Sequence, residues 1–113
     1  MDPRLPAHIE VGALVRQVNG AGGFAMVLRK GEPDAGTILV VTTHNGANTR
    51  LWERMPAPDG TRQWVCARSQ DMENPSEFTE YLSRRGQQDA DLWIIELDIA
   101  NGERFIGLKG AAG

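Results

Sequence analysis

The sequence predicts an α+β fold: an antiparallel four-stranded meander preceded by a helix and followed by a second helix and a fifth strand, in the order α-β-β-β-β-α-β. Three observations carry this reading. Apolar residues recur at helical spacing on either side of a central block, that block holds four segments of strand character, and the segments are joined by short turn-rich connections that favour antiparallel neighbours. At 113 residues the chain is the size of one domain with one core. It is read as a single unit over 1–113, frayed at about 1–6 and 109–113.

The first helix is expected over Ile9 to Asn19. Val11, Leu14, Val15 and Val18 follow one another at steps of three and four, so they share a face, and Gly20 supplies a stop. The strands are expected at Phe24–Lys30, Gly36–Thr43, Thr49–Met55 and Arg62–Arg68. Between them lie Gly31-Glu32-Pro33-Asp34-Ala35, Asn45-Gly46-Ala47-Asn48 and Pro56 to Thr61. The second helix is signposted by Asn74 as a cap, Pro75 in the first turn and Glu77 as the acidic member of a capping box. Phe78, Tyr81 and Leu82 form its apolar stripe, and Gly86 is expected to close it. A fifth strand is expected at Leu92–Ile99, and a short one at Arg104–Leu108.

Turn lengths align Leu28 with Leu39, Val41 with Trp52, and Trp52 with Val65. One face then carries Phe24, Met26, Leu28, Leu39, Val41, Trp52, Val65 and Ala67 as core. The opposite face carries Ala25, Val27, Ile38, Val40, Leu51, Met55, Trp64 and Cys66, which is too apolar to be simply wet. Either each helix covers one face, or the second face is an interface built from residues such as Ile38, Val40, Met55, Trp64 and Cys66.

Composition bounds the function. Twelve basic against fifteen acidic side chains, a formal charge of −3, disfavour non-specific nucleic-acid binding. A single cysteine, Cys66, excludes an internal disulfide and a multi-thiolate zinc site, and fits a reducing, cytoplasmic setting. Asp2, Arg4, His8 and Glu10 break up the amino terminus where a secretory signal would be apolar. The longest aliphatic run, Ile38 to Val41, is far too short to span a bilayer, so no membrane role is expected.

Three stretches, Gly23-Phe24-Ala25-Met26-Val27, Glu32-Pro33-Asp34-Ala35-Gly36 and Asp89-Ala90-Asp91-Leu92-Trp93-Ile94-Ile95-Glu96, resemble in order and spacing the small alphaproteobacterial proteins grouped as domain of unknown function 1491. The resemblance covers nearly the whole chain. It implies a bacterial cytosolic, single-domain protein and supplies no functional residue.

His8 and His44 are far apart in sequence and show no metal-ligand spacing. Cys66 sits in a strand, where a free cysteine packs as a small hydrophobe. Glu96 and Asp98 alternate onto one side of the last strand, about 7 Å apart, opposite Trp93, Ile95, Leu97 and Ile99. Gly20-Ala21-Gly22-Gly23 follows a helix and precedes a strand, the reverse of a phosphate loop. Arg50, Trp52 and Arg54 share a strand face and are the most suggestive group, because a ring between two guanidinium groups can stack a base while the arginines meet phosphate. No catalytic constellation, metal site or cofactor is expected. The reading is a non-catalytic module, homodimeric through its sheet or binding a protein or small molecule; the alternative is a small enzyme or nucleotide- or anion-binding protein using Arg50, Trp52 and Arg54.

Overall fold

A computed structural model describes residues 5–107, so the fraying expected at the ends falls mostly outside the described residues. The elements are α1 (Ala7–Gly20), β1 (Phe24–Arg29), β2 (Ile38–His44), β3 (Ala47–Pro56), β4 (Arg62–Ser69), α2 (Pro75–Gln88), β5 (Trp93–Asp98) and a 3-10 turn η1 (Gly102–Ile106). The α-β-β-β-β-α-β order is the expected one. The arrangement of the strands is more elaborate: the sheet runs β1-β5-β2-β3-β4, with β5 parallel to β2 and every other pair antiparallel. Only β2-β3-β4 is a meander, and β1 does not touch β2, so Leu28 and Leu39 are not partners.

The reason lies in β5. Trp93, Ile95 and Leu97 are buried on one side of the sheet and Ile94 on the other. A strand apolar on both faces is stable only where both faces are covered, in the interior of the sheet. It therefore inserts beside the equally apolar β2 and displaces β1 to the edge. The tail expected as a strand at Arg104–Leu108 is instead η1, with Leu108 outside the described residues. Asn101 and Gly107 bracket it in the left-handed region, at φ 54° and 84°, which curls the chain too tightly for a strand.

Each face of the sheet has its own helix. Ala7, Val11, Leu14 and Val18 of α1 pack on Ile38, Val40, Trp52, Trp93, Ile95 and Leu97. Phe78 of α2, with Tyr81 and Leu82 beside it, packs on Leu39, Val41, Leu51 and Ile94. Both apolar faces are thus core over the central strands.

The register differs from expectation by one residue at two places. The β2–β3 turn is tighter than Asn45–Asn48: Asn45 and Gly46 both take positive φ, at 52° and 78°, which is the two-residue hairpin geometry. Asn48, also left-handed at φ 56°, then adds a bulge, and Val40 rather than Val41 comes opposite Trp52. Trp52 in turn faces Cys66, not Val65, across a second irregularity beside Leu51. Trp52 consequently belongs with Ile38 and Val40 under α1, and Leu51 with Leu39 and Val41 under α2.

Neither helix is capped at its start by a side chain. The first amides of α1 are capped from outside, Ala7 and His8 donating to the carbonyls of Asp34 and Pro33 at 3.0 and 2.8 Å. At α2 the capping box does not form: Asn74 makes no side-chain cap, and Glu77 is drawn to Arg68, 3.1 Å away. An ion pair holds that carboxylate in place of the Asn74 amide. Gly86 does not end the helix but lies inside it, buried against the Arg29 side chain.

The segment 31–36 threads tightly past the start of β5. Glu32 donates to Asp91 O at 3.0 Å, Trp93 Nε1 donates to Glu32 O at 2.7 Å, and Trp93 N donates to Thr37 O at 2.8 Å. A Cβ on Gly31 would sit 2.2 Å from Asp91 O, and one on Gly36 2.3 Å from the same atom. Backbone cannot yield there as a flexible side chain would. Gly31→Ala should therefore lower unfolding free energy by about 1–3 kcal/mol, measured by urea denaturation, whereas Gly20→Ala, with open space around it, should be neutral or raise stability by about 0.5 kcal/mol.

Candidate functional site

The surface that departs most from ordinary monomer packing is the edge strand β1. Phe24, Met26, Val27 and Leu28 are 77%, 59%, 42% and 44% exposed. Phe24 and Met26 lie on the α2 side opposite Asp98 and Glu96 of β5. α2 is held near Arg68 at its start and near Arg29 at its end, and its apolar residues cover Leu39, Val41, Leu51 and Ile94 rather than this strip.

Among the described residues no strand pairs with the outer side of β1. Ala25 N donates to the Asn19 side chain at 3.0 Å, so its amide points away from β5. Because direction alternates along a strand, Val27 turns its N–H and C=O to the same outer side. The register breaks between Val27 and Arg29, so the regular edge ends there. Phe24, Met26 and Leu28 read as core in the sequence because β1 was expected beside β2. Nothing local in the sequence marks them as exposed; that follows from the insertion of β5.

Glu96 and Asp98 flank this apolar strip on the same side of β5, as their alternation predicts. Asp98 accepts from Asn45 N at 2.9 Å. Burial pushes the Glu96 carboxyl above the ordinary glutamate range, and the Asp98 carboxylate adds to the shift.

Arg50, Trp52 and Arg54 do share a face, the α1 side of β3, but each is already engaged. Trp52 is 8% exposed and donates from Nε1 to Thr42 Oγ1 at 2.8 Å. Arg54 meets both carboxylate oxygens of Glu10 in α1, at 3.1 and 2.9 Å, and lies over the Trp64 ring at 4.8 Å. Arg50 reaches Glu103 of η1 at 3.7 Å. The ring is a core residue and the two arginines tie it to neighbouring elements.

Of the residues read as an interface, Ile38, Val40, Trp64 and Cys66 share the α1 side, while Met55 points to the other. Ile38 and Val40 are buried under α1. Trp64 is half-buried beneath Arg54, and Met55 is exposed. Cys66 is exposed on the outer strand β4 and does not pack as a small hydrophobe there, its Sγ lying 3.7 Å from Arg68 O. The five do not form one surface. His8 contacts Pro33 O and His44 contacts Asn45 at opposite ends of β2, and among the described residues no group of His, Cys, Asp or Glu could hold a metal.

A polar cluster invisible in the sequence joins α2 to β3 and β4. Arg85 grips Glu53 with two hydrogen bonds, 3.2 and 2.7 Å, and donates to Tyr81 OH at 3.2 Å; Arg68 lies 4.0 Å over the Tyr81 ring. The Glu53 hydrogen bond holds the Arg85 guanidinium still further above its ordinary range. A planar fork matched to one carboxylate cannot be replaced by a point charge. Arg85→Lys should cost about 2 kcal/mol in urea denaturation, nearly as much as Arg85→Ala.

The Glu96 shift sets a pH dependence. A carboxyl with a raised folded pKa holds its proton more tightly in the folded state, so the stability it adds is complete below the ordinary glutamate value and is lost as pH rises through the folded one. Glu96→Gln should therefore unfold at an equal or higher urea midpoint than the wild type at pH 7, with less dependence on pH between about 4 and 7.

Comparison with known proteins agrees with this architecture. The family described as "Protein of unknown function (DUF1491)" matches residues 5–107. The crystal structure of a DUF1491 family protein from Caulobacter crescentus CB15 superposes with a TM-score of 0.78 at 31% identity, covering 95% of this chain and 97% of that one. The NMR structure of a DUF1491 family protein from the same organism gives 0.75 at 30% identity, with 92% and 94% covered. The solution structure of protein Atu0922 from A. tumefaciens gives 0.67 at 29%, with 86% and 87% covered. No functionally curated protein matches the chain. The three stretches that carry the resemblance also meet in space, since β1 pairs with β5 and the 32–36 segment is hydrogen-bonded to Asp91, Trp93 and the start of α1. From its sequence match over 5–107 and its shared architecture, the chain belongs to the DUF1491 family.

Proposed function

We propose that this protein is a non-catalytic interaction module of the bacterial cytosol that takes an extended segment of a protein partner onto the free edge of β1. One observation carries the reading: four of the five residues from Phe24 to Leu28, all but Ala25, are exposed, on a strand whose outer side no other strand among the described residues pairs. Unpaired edge groups are a template for another strand, and natural proteins usually blunt them with charge, proline or cover. Here the strand from Phe24 to Leu28 carries no charge and no proline. Strand addition would supply main-chain hydrogen bonds, with Phe24 and Met26 as the apolar contacts.

The acidic pair beside the strip favours a segment in which apolar residues alternate with lysine or arginine. Anion or nucleotide recognition by Arg50, Trp52 and Arg54 is less favoured, because the ligand would have to displace Glu10 and Glu103 and open the cover over Trp52. A cytosolic setting is consistent with the exposed free thiol of Cys66.

The test is an NMR titration of the full chain with a synthetic peptide alternating valine and lysine. Saturable amide shifts should concentrate at residues 24–28 and disappear in Val27→Pro, which lacks the outward N–H. Amides of β1 that stay unmoved at millimolar peptide would refute edge binding.

A further inference from the structure

We infer that the β1 edge takes a second copy of this chain, the two β1 strands pairing antiparallel about a two-fold axis into one continuous sheet; this rests on the edge-binding reading above.

Self-complementarity is the first argument. In an antiparallel pair, outward-pointing residues meet outward-pointing residues. With Ala25 and Val27 turned outward and the regular stretch ending after Val27, the register that uses both sets Ala25 of one copy against Val27 of the other, twice. Met26 then falls on the two-fold axis opposite its own counterpart, with Phe24 beside the irregular stretch at Leu28. The strip covers itself.

Charge is the second. Glu96 and Asp98 flank the first half of β1, opposite Met26 and Phe24, whereas the exposed Lys30 follows at its end, the Arg29 side chain being packed against Gly86 of α2. Antiparallel pairing brings the acidic flank of each copy to the basic end of the other. The separation is two strand spacings, roughly 10 Å, which a lysine side chain and a carboxylate can span together. Space is the third: Gly20 and Gly22, just ahead of the strand, have nothing within 4 Å of where a Cβ would stand.

Asn19 opposes the pairing. Its side chain holds the Ala25 N–H at 3.0 Å, and that amide must be released to reach the partner's Val27 carbonyl. The side chain therefore acts as a plug, lost once from each copy on association. With so short a strand the buried area lies near the lower limit for specific interfaces, about 1,200 Å², and the dimer should dissociate in the micromolar range.

Sedimentation velocity on the full chain from 5 to 500 µM tests this, with circular dichroism confirming that each variant is folded. The wild type should pass from monomer to dimer across that range. Met26→Asp, which sets two carboxylates against each other on the axis, should remain monomeric throughout. Asn19→Ala, with both plugs removed, should dimerise about tenfold more tightly. A wild type that is monomeric at 500 µM overturns the proposal, as does a dimer that Met26→Asp leaves intact. If the wild type is monomeric and the valine–lysine peptide still moves the β1 amides, only the second copy is refuted and edge binding stands; if the peptide fails as well, both fall.

Discussion

Everything in this molecule follows from one strand that must be buried on both sides. β5 carries Trp93, Ile95 and Leu97 toward α1 and Ile94 toward α2. Burial of such side chains contributes on the order of 1.5–3 kcal/mol each, so leaving either face at a sheet edge would forfeit several kcal/mol. The interior place beside β2 satisfies both faces at once. Three consequences follow: the sheet becomes mixed, the first strand in sequence is driven to the rim, and the loop between β1 and β2 must pass over the start of β5. Gly31 and Gly36 are required by that last consequence, since their α-carbons face the Asp91 carbonyl at a distance that no side chain tolerates.

The charged residues that look like ligand-binding groups in the sequence turn out to fasten layers together. Arg54 ties β3 to α1 through Glu10, Arg50 ties β3 to η1 through Glu103, and Arg85 ties α2 to β3 through Glu53. These pairs are half-buried, where water still screens them, so their worth lies as much in fixing the angle and position of each helix as in stability. Arg54 over Trp64 and Arg68 over Tyr81 add stacked contacts that lysine would make less well. Fixing α2 has a functional side: it covers Leu39, Val41 and Ile94 but leaves the Phe24 and Met26 corner open.

That open corner connects packing to function. Over the central strands the two helices satisfy both faces of the sheet, so the residual apolar surface is confined to its rim. An edge strand with bare apolar side chains is a hazard unless its use is controlled, and the controls here are local: a bulge after Val27, the exposed Lys30, and Asn19 bound to the Ala25 amide. They shorten the usable edge and set its register without abolishing it.

Local signals in the sequence were sufficient for the helices, the strand segments and their order, because each depends on periodicity and turn chemistry within a dozen residues. The α1 stripe of Val11, Leu14 and Val18 and the α2 stripe of Phe78, Tyr81 and Leu82 were legible for that reason, as was the shared face of Arg50, Trp52 and Arg54. The neighbours of each strand were not. Asn45-Gly46 could close a turn of two residues or of four, and one residue of difference moves Trp52 from one core to the other. The exposure of Phe24 and Met26 was hidden for a deeper reason: it depends on β5, about seventy residues further along, taking the place beside β2. By itself the sequence determined which segments form strands and helices and which residues can share a face. Only the tertiary structure decided which strand is the edge, because that choice is made by competition among all five strands for the two-sided cover of the helices.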